Sequence, residues 1–136
     1  MYGICKSPSL GLLTDLHTAS LQEVLDLVYK GDHFPFTFDM QLRVCTQLLH
    51  TINFLHTLKP PVIHGRLHPN NIYVDEYLNI QVADPFLDYL YQDLNISNHR
   101  QHNNQVYIAP EILNNHIPSV QSDIYSLGIL ICYWMR

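Results

Sequence analysis

Histidine is the residue in this sequence that most readily suggests chemistry, because imidazole binds metals and transfers protons near neutral pH. The 136 residues include nine histidines and three cysteines. Close histidine pairs occur at His50/His56, His64/His68 and His99/His102. No pair is accompanied by a cysteine or carboxylate at a spacing known for metal ligands. The spacing therefore does not predict a structural metal site.

Four segments, in order along the chain, resemble motifs of protein kinases. Residues 64–71 (His-Gly-Arg-Leu-His-Pro-Asn-Asn) resemble the catalytic loop, whose pattern is His-Arg-Asp-Leu-Lys-Pro-x-Asn. Residues 82–86 (Val-Ala-Asp-Pro-Phe) lie where the metal-binding Asp-Phe-Gly belongs, and 107–111 (Tyr-Ile-Ala-Pro-Glu) match the Ala-Pro-Glu segment. Residues 122–128 (Ser-Asp-Ile-Tyr-Ser-Leu-Gly) resemble the start of the central helix of the large lobe. Order and spacing together make this resemblance specific.

The resemblance covers the whole chain and is strongest to receptor-interacting protein kinases, which belong to the tyrosine-kinase-like group. The segments 13–17 (Leu-Thr-Asp-Leu-His) and 55–64 (Leu-His-Thr-Leu-Lys-Pro-Pro-Val-Ile-His) carry this similarity. It implies an α+β, protein-kinase-like fold that is partial. Residues 1–17 would be the last small-lobe strands and the hinge, and residues 18–136 the first half of the mainly helical large lobe.

The resemblance also places the residues of phosphoryl transfer. Arg66 occupies the position of the catalytic Asp, and a guanidinium has no acceptor and cannot serve as a base. His68 occupies the position of the Lys that steadies the phosphoryl group, and it is expected to be largely neutral near pH 7. Asn71 and Asp84 keep the two magnesium-ligand types. Another alignment would offer Asp75 or Asp88 as the acid, but Asp75 is expected in a strand turn, away from the phosphates.

The resemblance also implies a nucleotide site, formed by residues near the start of the chain and by Tyr73. Thr14 falls at the gatekeeper position, and the Asp15 carbonyl and His17 amide face the adenine edge. Tyr73 lies under the adenine, where it would stack on the base, fill its space or simply pack between the lobes. ATP and Mg²⁺ are thus implied as cofactors, although the replaced residues predict weak or absent binding of both.

Other motif residues are expected to be structural. The resemblance implies that His64 is a core histidine and that Asp123 caps the backbone of residues 64–71. Glu111 would pair with an arginine from a later segment that this sequence does not include. Leu130 and Trp134 share one helical face and are expected in the core. Hydroxyls in the activation segment are candidates for phosphorylation: Tyr89, Tyr91, Ser97 and Tyr107.

Apolar periodicity and capping signals predict the elements that position these residues. A capping box at Ser20 and Glu23 predicts a helix to about Val28. The strongest helix spans 38–57, with an apolar face at Leu42, Cys45, Leu48, Leu49, Ile52 and Leu55. Further predictions are strands at 9–16 and 62–63, a hairpin of 71–74 with 78–82, a long loop at 84–109 and an apolar helix at 120–134, packed on the 38–57 helix.

Composition favours one folded unit, since 47% of the residues are apolar and 14% are charged. A net charge of −5 without a basic cluster disfavours nucleic-acid binding. The first residues lack the features of a signal peptide, and the longest apolar run is too short to span a bilayer. We therefore expect a cytoplasmic protein without a membrane span.

The leading hypothesis is a pseudokinase piece that acts in signalling by binding protein partners, another kinase-like domain among them. The alternative is an active Ser/Thr or Tyr kinase whose small lobe lies outside this sequence, and a non-functional remnant is the third reading. No Gly-x-Gly-x-x-Gly occurs in the chain. Arg66 separates the first hypothesis from the second.

Overall fold

The computed structural model describes residues 3–5, 11–13, 19–31, 36–83, 102–114 and 116–135, which form four α-helices and two small sheets. The strands are β1 (Gly3–Cys5), β2 (Gly11–Leu13), β3 (Ala19–Ser20), β4 (Ile72–Val74) and β5 (Ile80–Val82). The α-helices are α1 (Leu21–Tyr29), α2 (Phe38–Thr57), α3 (Pro110–Leu113) and α4 (Val120–Trp134). Short 3₁₀ helices cover Pro69–Asn71 and His102–Tyr107. This mixture agrees with the predicted α+β class.

Capping boxes set the starts of α1 and α4. The Ser20 hydroxyl accepts a hydrogen bond from the Glu23 amide, and the Ser20 amide donates to the Glu23 carboxylate at 2.6 Å. This is the predicted capping box, and it lowers the pKa of Glu23 through the bonds from Ser20. A second capping box, between Ser119 and Ser122, begins α4. Sequence analysis did not anticipate it, because Ser rather than Glu or Gln holds the third position.

The predicted bounds of α2 are confirmed, but the predicted apolar face is partly wrong. Leu48 is fully buried, whereas Leu49 is 47% exposed and Leu42 is also exposed. The buried residues of the helix are Val44, Cys45, Leu48 and Ile52. At 3.6 residues per turn, Leu42 and Leu49 lie about 100° around the helix from the centre of that face. The apolar spacing was compatible with burial of the face that includes Leu42 and Leu49 or of the face centred on Leu48. Packing against the rest of the chain buries the second face.

The three-stranded sheet has the antiparallel order β3-β4-β5. Tyr73 in the middle strand pairs with Ser20 on one side and with Gln81 on the other. The predicted hairpin is therefore present, but its strands are shorter, because Asn71 belongs to a 3₁₀ turn and Leu78 has a left-handed φ of 61°. The Gln47 side chain joins this hairpin to α2, since its Nε2 donates to the Leu78 carbonyl at 2.7 Å.

Two further predictions need correction. Residues 62–63 form no strand; the Val62 amide donates to the Leu55 carbonyl at 2.9 Å, so the chain turns back along the end of α2. Part of the predicted long loop, His102–Tyr107, is a 3₁₀ helix. Residues 84–101 of that loop lie outside the described residues. Of the strand predicted at 9–16, only residues 11–13, which form β2, are described.

One hydrophobic core joins α1, α2, β4 and α4. Helices α2 and α4 pack against each other as predicted, and Leu130 and Trp134 are buried between the elements. The core consists of side chains from both long helices, α1, β4, the loop after α2, the segment before α2 and the His102–Tyr107 helix: Leu21, Val24, Leu25, Phe36, Val44, Cys45, Leu48, Ile52, Leu67, Ile72, Val74, Tyr107, Leu127, Leu130 and Trp134. No helix within the described ranges combines the length and apolarity needed to cross a bilayer.

Candidate functional site

Asp123, near the start of α4, holds the backbone of the loop that follows α2. Its Oδ2 accepts a hydrogen bond from the His64 amide at 2.8 Å, and its Oδ1 accepts one from the Gly65 amide at 2.8 Å. The residue is 1% exposed. Bonds from amides to a buried carboxylate are stronger than neutral ones, so Asp123 positions the loop. Gly65 has a φ of 77°, and a Cβ there would lie 3.3 Å from the Pro118 Cβ.

His56 is a further member of this cluster that sequence analysis missed. Its Nε2 lies 2.8 Å from Oδ2 of Asp123, with most of its side chain buried. The sequence offered one signal, a histidine in the last turn of a long helix, where basic residues are common. Its partner is 67 residues later in the chain, so only the tertiary fold reveals the contact.

His64 connects the loop to the segment that precedes Asp84. Its Nδ1 accepts from the Arg66 amide at 3.2 Å, and its Nε2 lies 3.0 Å from the Ala83 carbonyl. An amide must donate and a carbonyl must accept, so the ring carries a proton on Nε2 and none on Nδ1. The side chain therefore works as a neutral bridge within the core.

Asn71 stabilises the same loop from its other end. Its Nδ2 donates to the Arg66 carbonyl at 3.0 Å, and its amide donates to the His68 carbonyl at 3.0 Å. Its own carbonyl accepts from the Ala83 amide at 2.8 Å. The backbones of Arg66 and Ala83 are thus brought together by one buried asparagine.

His68 is buried beside these groups, with 8% of its surface exposed. Burial is the main cause that lowers the pKa of His68 from 6.5 to about 4, and repulsion from the Arg66 guanidinium adds to it. Its Nδ1 has no hydrogen-bond partner within the described part of the chain. At pH 7 only about one His68 in a thousand would be protonated, since pH 7 lies about three units above the pKa.

The remaining predicted site residues are distributed as follows. Tyr73 is half-buried in the middle strand of the sheet. The three hinge residues Thr14, Asp15 and His17, and the predicted metal ligand Asp84, lie outside the described residues, so their assignments stay predictions. Which of the three roles Tyr73 takes toward an adenine also stays a prediction.

Asp75, the alternative catalytic acid, stabilises a turn in the structure. Its Oδ1 accepts from the amides of Tyr77 and Asn79, at 2.9 and 2.8 Å. The side chain and backbone of Asn79 are the main cause of the lowered pKa of Asp75. These bonds place Asp75 in the β4–β5 turn, as the sequence predicted. The other alternative, Asp88, lies outside the described residues.

The Ala-Pro-Glu segment is attached to α4 through its backbone. The Ser126 hydroxyl donates to the Tyr107 carbonyl at 2.6 Å, and Ser126 is itself buried. Glu111 lies partly exposed in α3, where its carbonyl accepts from the Asn114 amide at 3.1 Å. Tyr107, predicted as a phosphorylation candidate, is 5% exposed, which argues against that role in the folded chain.

The described residues do not by themselves fit a magnesium site. Mg²⁺ prefers carboxylate and water oxygens in octahedral geometry. In the loop the described side chains offer the Asn71 amide oxygen, together with a guanidinium at Arg66 and a buried imidazole at His68. No group of three or more His, Cys, Asp or Glu within the described ranges is arranged to hold a metal.

A cleft of about 570 Å³ lies beside the loop. It is bounded by α1, the Pro69–Asn71 turn, the His102–Tyr107 helix and the end of α4, and its lining includes Asp26, Asn70 and Tyr133. Amides and hydroxyls dominate the lining, so the cleft is suited to polar contacts rather than to an apolar ligand.

The loop of residues 64–71, the buried Asp123 that binds its backbone, and the three-stranded sheet together define part of the large lobe of a protein-kinase-like domain. Residues 1–135 match the family model for protein tyrosine and serine/threonine kinases. The chain belongs to this family.

Curated relatives agree with that membership. The chain is 29% identical over 138 residues to ankyrin repeat and protein kinase domain-containing protein 1 of Mus musculus, covering 96% of this chain and 18% of that protein. It is 29% identical over 143 residues to receptor-interacting serine/threonine-protein kinase 2 of Bos taurus, covering 95% of this chain and 25% of that protein. For receptor-interacting serine/threonine-protein kinase 4 of Homo sapiens the identity is 28% over 137 residues, covering 96% and 16%. The predicted similarity to receptor-interacting kinases is confirmed, and the chain spans a quarter or less of each relative.

Proposed function

We propose that this chain is part of a catalytically impaired kinase-like domain, a pseudokinase, that acts in signalling by binding other proteins. The observation that carries the proposal is the pairing of Arg66, at the base position, with a buried and neutral His68. Hydrogen bonds hold the loop backbone in place, while the two side chains at the base and phosphate-clamp positions are replaced.

Arg66 removes the proton acceptor. In protein kinases the Asp of this loop accepts the proton of the substrate hydroxyl. A guanidinium stays protonated under all physiological conditions and presents donors only. It would also repel the approaching magnesium ions, and a general base contributes about 10²–10⁴-fold to rate. Arg66 therefore lowers both proton transfer and metal binding.

His68 removes the phosphate clamp. A lysine at this position carries a compact positive charge toward the transferred phosphoryl group. His68 is uncharged near pH 7, because its pKa is about 4. Its burial also keeps the ring away from a substrate in solution. Together the two replacements remove one negative and one positive charge that phosphoryl transfer uses.

Cofactor and partner assignments follow from the same reasoning. ATP and Mg²⁺ are the cofactors of the family, and we propose that this chain binds them weakly or not at all. We propose that the partners are proteins, among them another kinase-like domain; the names of two relatives, receptor-interacting kinases, themselves refer to a protein partner. A cytoplasmic setting suits three cysteines that form no disulfide framework.

An active Ser/Thr or Tyr kinase is the second candidate. The observation that favours it is the intact loop scaffold, in which Asp123 and Asn71 hold the backbone around Arg66. Relatives named as serine/threonine kinases also favour it. Under this reading a small lobe elsewhere in the protein would supply the nucleotide clamp.

The test is phosphoryl transfer by a protein in which this chain is joined to a kinase small lobe. Enzymes of this class turn over about 1–100 times per second, so even strong impairment is measurable. We expect no transfer above background, and a gain of activity in the double variant Arg66→Asp, His68→Lys. The exposed Arg43→Gln lowers the net charge by one, as the double variant does, so it serves as the charge-matched control and should gain nothing. Transfer by the unaltered protein that Asp84→Ala abolishes would establish the active-kinase reading instead.

A further inference from the structure

Three tyrosines meet where α1 ends beside the end of α4. The ring of Tyr133 lies 6.3 Å from the ring of Tyr29 and 6.4 Å from that of Tyr107, both edge to face. Burial, with smaller contributions from the other two hydroxyls, raises the pKa of Tyr107 to about 12. The three phenols are therefore close enough to influence one another electrostatically.

Tyr29 makes the contact that joins the two helices through its hydroxyl. The hydroxyl donates to the backbone carbonyl of Tyr133 at 3.3 Å, although the residues are 104 positions apart. Tyr133 lies in the last turn of α4, where carbonyls have no amide partner within the helix. Those carbonyls form the negative end of the helix dipole. Tyr29 thus places a donor proton where the helix needs one.

Tyr29 is also accessible. It is the last residue of α1 and is 57% exposed, in contrast to Tyr107. Gly31, two residues later, has a φ of 75°, so the chain leaves the helix directly after it. An enzyme that modifies tyrosines can reach this hydroxyl without first unfolding the core.

We propose that Tyr29 is a phosphorylation site and that its phosphate separates the end of α1 from the end of α4. A separate tyrosine kinase would supply the phosphoryl group from ATP. The Tyr29 oxygen forms a bond to the γ-phosphorus, the bond from that phosphorus to the ADP oxygen breaks, and the phenol proton is released. The products are phosphotyrosine and ADP.

Phosphorylation would turn the attraction between Tyr29 and the end of α4 into repulsion. Phosphotyrosine carries a charge of about −1.5 to −2 at pH 7, and it has no proton to donate to the Tyr133 carbonyl in its dianionic form. The charge would face the negative end of the α4 dipole. It would also lie near Asp26, three residues earlier on the same helix surface. The hydrogen bond is long at 3.3 Å, so repulsion contributes more to the effect than the lost bond.

Separation of the helices alters the cleft described above. Gln22 and Asp26 on α1 and Tyr133 on α4 line it. Phosphorylation would therefore change the shape and charge of a surface beside the kinase-like loop. This consequence does not depend on whether Arg66 prevents catalysis.

The test uses the full chain treated with an active tyrosine kinase and Mg-ATP, with phosphosites mapped by mass spectrometry. Amide hydrogen exchange is then compared before and after modification. We expect phosphate on Tyr29 and about tenfold faster exchange at the end of α1 and at residues 131–135, from the lost bond and the dipole repulsion. Exchange across the middle of α2 should stay unchanged.

Two variants separate the phosphate from other effects. Tyr29→Phe keeps the ring but accepts no phosphate, so kinase treatment should leave its exchange at both helix ends unaltered. Tyr77→Phe is the matched control, because Tyr77 is 68% exposed and lies in the β4–β5 turn. It should respond to treatment like the unaltered chain. Absence of phosphate from Tyr29 while Tyr77 is modified would overturn the proposal, as would a modified Tyr29 with unchanged exchange.

Discussion

Acid should destabilise this chain through His68. The residue is buried and its pKa falls from 6.5 to about 4 in the folded state. In an unfolded chain the same imidazole would titrate near its ordinary value. Between these two pKa values the unfolded state binds more protons than the folded state, so the free energy of unfolding falls as the pH falls. The stability that a neutral His68 contributes is fully present above pH 6.5 and is lost as the pH falls toward 4.

The size of the effect follows from the shift. Each pKa unit corresponds to about 1.4 kcal/mol, so the whole shift amounts to about 3 kcal/mol. About 2 kcal/mol of this would be lost between pH 7 and pH 5. A domain is typically stable by about 5–15 kcal/mol, so the loss is a large fraction of the total.

Urea unfolding at a series of pH values measures this directly. Trp134 is the single tryptophan and is buried, so its fluorescence reports unfolding. His68→Asn places a group that cannot titrate in the same position. We expect the difference between the unaltered chain and this variant to show the loss of about 2 kcal/mol between pH 7 and pH 5.

The exposed His50→Asn is the control, and its pH dependence should match that of the unaltered chain. Equal slopes for the unaltered chain and His68→Asn would refute the reasoning, since they would mean that His68 titrates alike in both states.

Four other substitutions test the scaffold by the same urea measurement. Gly65→Ala should cost about 1–2 kcal/mol, because alanine is strained at a φ of 77° and its Cβ would press on Pro118; unchanged stability would contradict the left-handed backbone. Asp123→Ala should cost about 3–5 kcal/mol, since it leaves loop amides buried without an acceptor; a cost below about 1 kcal/mol would mean that water or another group replaces the carboxylate. Leu48→Ala should cost about 2–5 kcal/mol, whereas Leu49→Ala should stay within about 0.5 kcal/mol, and similar costs would show that the face of α2 is misassigned.

Local signals were sufficient for much of the secondary structure. The capping box at Ser20 predicted the start of α1, and apolar periodicity followed by the stop signal Pro60-Pro61 predicted α2. These features act between residues three or four positions apart, so they can be read from neighbouring letters. The strand predicted at 62–63 failed because a short apolar run has no periodicity of its own.

The candidate site was predicted as a set of positions, but its physical state was not. Sequence analysis placed Arg66, His68 and Asn71 in one loop and assigned Asp123 to its backbone. It expected His68 to be largely neutral from its ordinary pKa alone, whereas burial lowers the pKa of His68 to about 4. That displacement depends on how deeply the folded chain buries the ring, which neighbouring letters do not reveal.

The sequence by itself determined the family, the order of the motifs and the replacement of the catalytic Asp by Arg66, because these depend on residue type and spacing. The tertiary structure decided which stripe of α2 is buried, where Leu48 and not Leu49 enters the core. It also decided the contact between His56 and Asp123, and that between Tyr29 and Tyr133, across 67 and 104 positions. Such contacts form only when the chain folds back on itself, since burial and the hydrogen bonds it requires are properties of the whole packed core.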